Sequence, residues 1–91
     1  MVWTVSLSET AEKQLAKLDR QVARRLLSFL KDRLATSVDP RSLGEALTGS
    51  RFGDLWKYRQ GDYRIIAKIE DNILQILVVK VGHRREVYRR K

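Results

Sequence analysis

The feature that most constrains this chain is the run from Leu55 to Val81, where three strand-like segments follow one another across two tight turns. Leu55-Trp56-Lys57-Tyr58-Arg59 alternates, Gln60-Gly61-Asp62 reverses direction, and Tyr63 to Ile69 runs back. Glu70-Asp71-Asn72 makes the second turn, Asp and Asn tolerating positive φ. Ile73 to Val81 is apolar except for Gln75 and Lys80, as expected of a strand inside a sheet rather than at its edge. Side chains alternate across a strand, so Trp56 and Tyr58 share one face with Tyr63, Ile65, Ala67 and Ile69. Lys57, Arg59, Arg64 and Lys68 then fall together on the opposite face. Four cations on one sheet face repel one another unless an anion meets them, which points to a polyanionic partner.

The first half supplies the cover for the apolar face. Trp3, Val5 and Leu7 alternate as a first strand. Ser8 stands at a helix N-cap, with Glu9 and Glu12 near the positive end of the dipole. Ala11, Leu15 and Leu18 give a short amphipathic helix. Asp19 caps a second one, whose stripe of Val22, Leu26, Phe29 or Leu30, and Leu34 must end before Asp39-Pro40. Residues 39–54 read as a short helical turn followed by a loop, with Leu43, Ala46 and Leu47 as anchors. The order β-α-α-β-β-β over residues 1–91 predicts a single α+β domain. A helical hairpin packs on one face of a largely antiparallel four-stranded sheet that includes the N-terminal strand.

Charge is concentrated toward the end of the chain. Of 91 residues, 19 are Lys or Arg and 11 are Asp or Glu, giving +8. Residues 1–50 carry eight cations against six acids, net +2, and residues 51–91 eleven against five, net +6. There is no cysteine and one histidine, His83, so sulfur-based zinc sites and disulfides are excluded and no metal-ligand spacing is present. The acids are dispersed at helix starts and turns, where capping and solubility account for them. The glycines fit no phosphate-binding loop. No apolar run reaches the length of a membrane span, and the first residues lack the pattern of a secretory signal, so a cytoplasmic location without membrane contact is expected. An enzyme built on this chain works with Lys, Arg and Tyr, without a cofactor.

Three fragments carry a resemblance to a known family: Leu47-Thr48-Gly49; Leu55-Trp56-Lys57-Tyr58-Arg59 with Gly61-Asp62-Tyr63-Arg64-Ile65-Ile66; and Val81-Gly82-His83-Arg84-Arg85-Glu86-Val87-Tyr88. In element order and spacing they resemble the RelE toxins of bacterial toxin–antitoxin pairs. The resemblance implies a compact α+β fold, cleavage of mRNA in the ribosomal A site, and inhibition by a RelB-like antitoxin wrapped around the toxin. With a charge of +8 on the toxin, that antitoxin is expected to be acidic and amphipathic. The resemblance makes Lys57, Arg64, Arg84 and Tyr88 the catalytic set. Where the best-studied branch has a second lysine, this chain has Leu55.

Metal-free RNA cleavage needs a base near the 2′-OH, charge stabilisation on the phosphate and an acid for the 5′-oxygen, and it leaves a 2′,3′-cyclic or 3′ phosphate and a 5′-OH. A lysine serving as base near neutral pH needs its reference pKa of about 10.4 lowered, which neighbouring arginines favour. Arginine effectively keeps its proton, so Arg64 and Arg59 are assigned to bidentate binding of the phosphate and Arg84 to electrostatic help. Tyr88 stacks on a base or orients the 2′-OH. Lys68, His83 and Arg85 complete the expected RNA contacts. The competing reading is the sister ParE branch, which shares the fold and poisons DNA gyrase without nuclease chemistry.

Overall fold

Burial follows the period-two pattern and decides the architecture. The computed structural model describes residues 2–47 and 55–87. Its elements are β1 (Thr4–Leu7), α1 (Glu9–Ala16), α2 (Arg20–Ser28) with a π-helical continuation Phe29–Leu34, a 3₁₀ turn Pro40–Leu43, β2 (Glu45–Ala46), β3 (Leu55–Gln60), β4 (Tyr63–Glu70), a second 3₁₀ turn Asp71–Ile73, and β5 (Gln75–His83). The strands form one sheet in the order β1-β5-β4-β3-β2. It is antiparallel throughout except for the parallel pairing of β1 with β5. The fold is α+β, as expected, with five strands instead of four. The extra strand, β2, lies in the segment read as loop. Two residues are too few to show an alternation, and its Ala46 is exposed rather than an anchor.

Both helix starts match the expected caps. The Ser8 hydroxyl accepts from the Ala11 amide at 3.0 Å, and Asp19 accepts from Gln21 at 3.0 Å. The helices bury Ala11, Leu15, Leu26, Phe29, Leu30 and Leu34 against Tyr58, Ile65, Ala67, Ile69, Ile76, Val78 and Val81 of the sheet. Trp3, Val5 and Leu7 join the same core, on the expected face. Each large aliphatic side chain so buried contributes on the order of 1.5–3 kcal/mol.

The register of β5 is not uniform. Ile66 pairs with Lys80 but Ala67 with Val78, so Val79 is the extra residue of a β-bulge. α1 is stitched to this bulge: Ser8 donates through its hydroxyl to the Val79 carbonyl at 3.1 Å and through its amide to the Val78 carbonyl at 2.8 Å. One turn further on, the Gln14 side-chain carbonyl accepts from the Val81 amide at 2.7 Å. At the β4–β5 connection the left-handed residue is Leu74, φ 50°, rather than the expected Asp or Asn. Ile73 there is 61% exposed, so β5 begins at Gln75 instead of Ile73.

A strap ties the 3₁₀ turn before β2 to the sheet. The buried Tyr58 hydroxyl donates to the Pro40 carbonyl at 2.8 Å, and burial pushes its phenol above the ordinary range. Arg41 forms a two-pronged contact with Asp71, at 3.0 and 2.6 Å, and its guanidinium lies 5.8 Å from the Trp56 ring centre. The hydrogen bond to Arg41 holds the Asp71 carboxyl below the ordinary carboxylate range.

Tyr58→Phe leaves a buried carbonyl without its donor and is expected to lower unfolding stability by about 1–3 kcal/mol, measured by urea denaturation. Because the Asp71 pKa is lowered in the folded state, the Arg41 clasp stabilises above the normal carboxylate pKa and is lost as pH falls through the lowered value. Asp71→Asn should therefore melt below the wild type at neutral pH, with the two melting temperatures converging in acid.

Candidate nucleic-acid interface

The register of β3 on β4 places the cations. Lys57 lies opposite Ile66, Arg59 opposite Arg64, and Lys68 opposite Leu55, so all four share the sheet face turned away from the helices. The bulge adds Lys80, which pairs with Ile66 on that same face, and then Gly82, which lies opposite Arg64 and offers no side chain. The face is not bare: Ile66 is 3% exposed and stands outside the main core.

Arg59 and Arg64 are directly opposed like charges, an arrangement that is unfavourable without compensation. Two local devices supply it. Arg64 Nη1 donates at 2.9 Å to the carbonyls of Gly61 and of Tyr63, which curls the guanidinium over the β3–β4 turn. Arg59 Nη2 lies 3.9 Å from Oε1 of Glu45, and the same oxygen is 3.3 Å from Lys57 Nζ. Glu45 reaches them because β2 pairs Glu45 with Lys57. The side chain of Lys57 is 22% exposed against 59% for Glu45.

The chain leaving β5 returns to the same turn, since the Arg84 amide donates to the Asp62 carbonyl at 2.7 Å. Arg64 and Arg84 are thus both anchored on the Gly61-Asp62 reversal, where Gly61 has φ +61°. Lys57, Arg59 and Arg64 form a basic ridge from the β2 edge to the turn, and the backbone of Arg84 is anchored at its end. Such a surface can hold a phosphodiester by charge-assisted, partly bidentate contacts.

The comparisons with known proteins agree with this fold. The model of the ParE toxin of type II toxin–antitoxin systems matches residues 5–88. The chain belongs to the ParE toxin family. Toxin RelG of Mycobacterium tuberculosis is 30% identical over 90 residues, covering 99% of this chain and 100% of the relative. A chain of the RelBE2 toxin–antitoxin complex of the same organism shares the fold at a TM-score of 0.84, with 24% identity and 94% and 95% of the two chains covered. A chain of the archaeal RelE–RelB complex from Pyrococcus horikoshii aligns at 0.71 with 28% identity, covering 94% and 99%. The protein is thus a type II toxin of the RelE/ParE superfamily.

Not every residue singled out in the toxin's sequence joins the ridge. Lys68 is on the right face but four residues along β4 from Arg64, beside a cavity of about 380 Å³ at the β4–β5 connection. His83 pairs with Tyr63 on the helix side, its ring edge-on to Tyr63 at 5.7 Å, and it lines a separate cavity of about 440 Å³ with Gln14, Lys17 and Leu18. Its Nδ1 accepts from the Arg85 amide at 3.2 Å. Arg85 is exposed in the turn after β5. Neither cavity is lined by Lys57, Arg64 or Arg84. Tyr88 and the family-like Thr48-Gly49 lie outside the described residues. Among helices of the described residues, none is long and apolar enough to cross a membrane.

Sequence reading missed Glu45 and Lys80. Glu45 had the look of one more dispersed acid, and only its neighbour Gly44 hinted at a tight approach. A Cβ on Gly44 would stand 2.6 Å from the Lys57 carbonyl and 2.7 Å from the Tyr58 ring. Gly44→Ala is expected to push β2 off β3, costing about 1–3 kcal/mol as overpacking does. It should also weaken the Glu45–Lys57 contact, visible as a changed chemical shift of the Lys57 side chain.

Proposed function

We propose that this toxin is a ribosome-dependent mRNA endonuclease that cuts mRNA in the ribosomal A site and so arrests translation. The observation that supports it is the ridge of Lys57, Arg59 and Arg64, with Arg59 and Arg64 in directly opposed register and the Arg84 backbone held at its end. In the reaction the ribose 2′-oxygen attacks the adjacent phosphorus, the P–O5′ bond breaks, and a 2′,3′-cyclic phosphate and a 5′-OH result, with no metal ion required. Lys57 in its neutral amine form takes the proton of the 2′-OH, and the ammonium so formed returns a proton through solvent water to the departing 5′-oxygen. Arg64 and Arg59 grip the phosphate and offset the charge that builds on its oxygens. Arg84 adds positive charge at the leaving side, and Tyr88 stacks on a base or orients the 2′-OH. Lys68 and Arg85 extend the track for the RNA backbone. His83, on the helix side, contributes at most at the rim.

A ridge on a sheet face does little by itself to align its substrate. In this reading the ribosome holds the codon in line for attack, and such positioning is worth many kcal/mol. The partner that silences the toxin is a cognate antitoxin, as in the toxin–antitoxin complexes of its structural relatives, acidic enough to cover a +8 surface. Both act in the cytoplasm. A second reading, inhibition of DNA gyrase without cleavage, is favoured by the match to the ParE model.

Primer extension on mRNA from translating extracts separates the two. The wild type should produce discrete cuts with ribosomes and little on free RNA. Lys57→Ala and Arg64→Ala should lower the cleavage rate by about 10²–10³-fold, Arg84→Ala and Tyr88→Phe also strongly, all with unchanged folding by circular dichroism. Uncut mRNA together with trapped gyrase–DNA complexes would establish the second reading instead.

A further inference from the structure

Glu45 is the one acid found in contact with the basic ridge among the described residues, and its placement is specific. A single carboxylate oxygen sits between two cations, 3.3 Å from Lys57 Nζ and 3.9 Å from Arg59 Nη2. Both are ion-pair distances, longer than a charge-assisted hydrogen bond, and an anion drawn to these two cations would compete for that position. The backbone enforces the position: β2 is held in register by Glu45 opposite Lys57 and Ala46 opposite Trp56, and the close approach at Gly44 permits no side chain there. The strap of Tyr58 on Pro40 and Arg41 on Asp71 fixes the turn that leads into it.

We propose that Glu45 is an internal stand-in for the substrate phosphate, a carboxylate that holds Lys57 and Arg59 aligned in the free toxin and leaves them when an anion binds. The proposal deepens the nuclease reading by naming what sets anion affinity at its site. Burial shows which partner moves. Lys57 is the enclosed member at 22% exposed, whereas Glu45 and Arg59 are 59% and 64% exposed, so the carboxylate can swing toward solvent while the ammonium stays. The exchange is favourable for a phosphodiester in a held RNA strand, which brings more acceptor oxygens and engages Arg64 as well. It is unfavourable for a small, singly charged anion, which gains no more than Glu45 already provides. An exposed ion pair shifts an equilibrium by only about 1.5- to 5-fold, so Glu45 is a weak competitor that filters anions without blocking the site.

The test is titration of the purified toxin with inorganic phosphate, followed by side-chain NMR of Lys57 and Arg59, and with a short RNA made non-cleavable by 2′-O-methylation. Glu45→Gln should bind both probes about 1.5- to 5-fold more tightly, and the RNA with a steeper salt dependence by roughly one released counterion. Glu70→Gln makes the same change in net charge at the far end of the same face and should leave both affinities within error. In a Lys57→Ala, Arg59→Ala background the Glu45→Gln gain should vanish. Unchanged or weakened phosphate binding by a folded Glu45→Gln protein would overturn the proposal, as would an equal gain from Glu70→Gln. Phosphate binding tests the stand-in independently of cleavage. A toxin that cuts no mRNA yet shows the Glu45→Gln gain would refute the nuclease reading alone.

Discussion

A five-stranded sheet with helices on one side only is the constraint from which the rest follows. The apolar positions of β4 and β5 must meet the helical hairpin, since burying them is the main favourable term in folding a chain this small. Alternation then sends every other residue of the same strands to the far face. In this chain those positions, with their partners on β3, include Lys57, Arg59, Arg64, Lys68 and Lys80, so the packing that stabilises the core also gathers these cations on one face. The core and the cationic face are two sides of one register. A slip of one residue between β3 and β4 would destroy both.

Like charges gathered in this way need local compensation, and the protein provides it with short-range contacts. Carbonyls of the β3–β4 reversal take up Arg64, and a two-residue edge strand delivers Glu45 to Lys57 and Arg59. Each contact is individually modest, as surface electrostatics usually are. Their value is geometric: the cations are held in one orientation without being buried, and they stay accessible to a larger anion. The basic surface is therefore ordered before its partner arrives, which lowers the ordering cost of binding.

Much of this was legible in the residues. The caps at Ser8 and Asp19, the helical stripe, the reversal at Gly61-Asp62 and the shared face of Lys57, Arg59, Arg64 and Lys68 all follow from rules that act over a few neighbouring positions. What escaped was set by contacts distant in sequence. Glu45 matters only because a two-residue strand pairs with β3, and no periodicity can be read from two residues. Leu74 adopts the left-handed conformation that composition assigned to Asp71 or Asn72, because the 3₁₀ turn carries the chain one step further before it reverses. The family resemblance carried Arg84 and Tyr88, which alternation alone would not have singled out.

The bulge at Val79 has a consequence for how the end of β5 tolerates change. Upstream of it, even-numbered positions such as Ile76 and Val78 face the core; downstream, the odd-numbered Val81 does, and Lys80 and Gly82 look outward. The strand thus carries a parity switch, clamped by the N-cap residue of α1, Ser8, some seventy positions earlier. Deleting Val79 would leave a regular ladder, with Lys80 and Gly82 still outward and Val81 and His83 still toward the hairpin. Straightening the strand with all its residues kept would instead turn the remainder inside out, driving Lys80 toward the hairpin and His83 onto the cation-bearing face, so the surplus residue is harmless only while it stays looped out of the ladder.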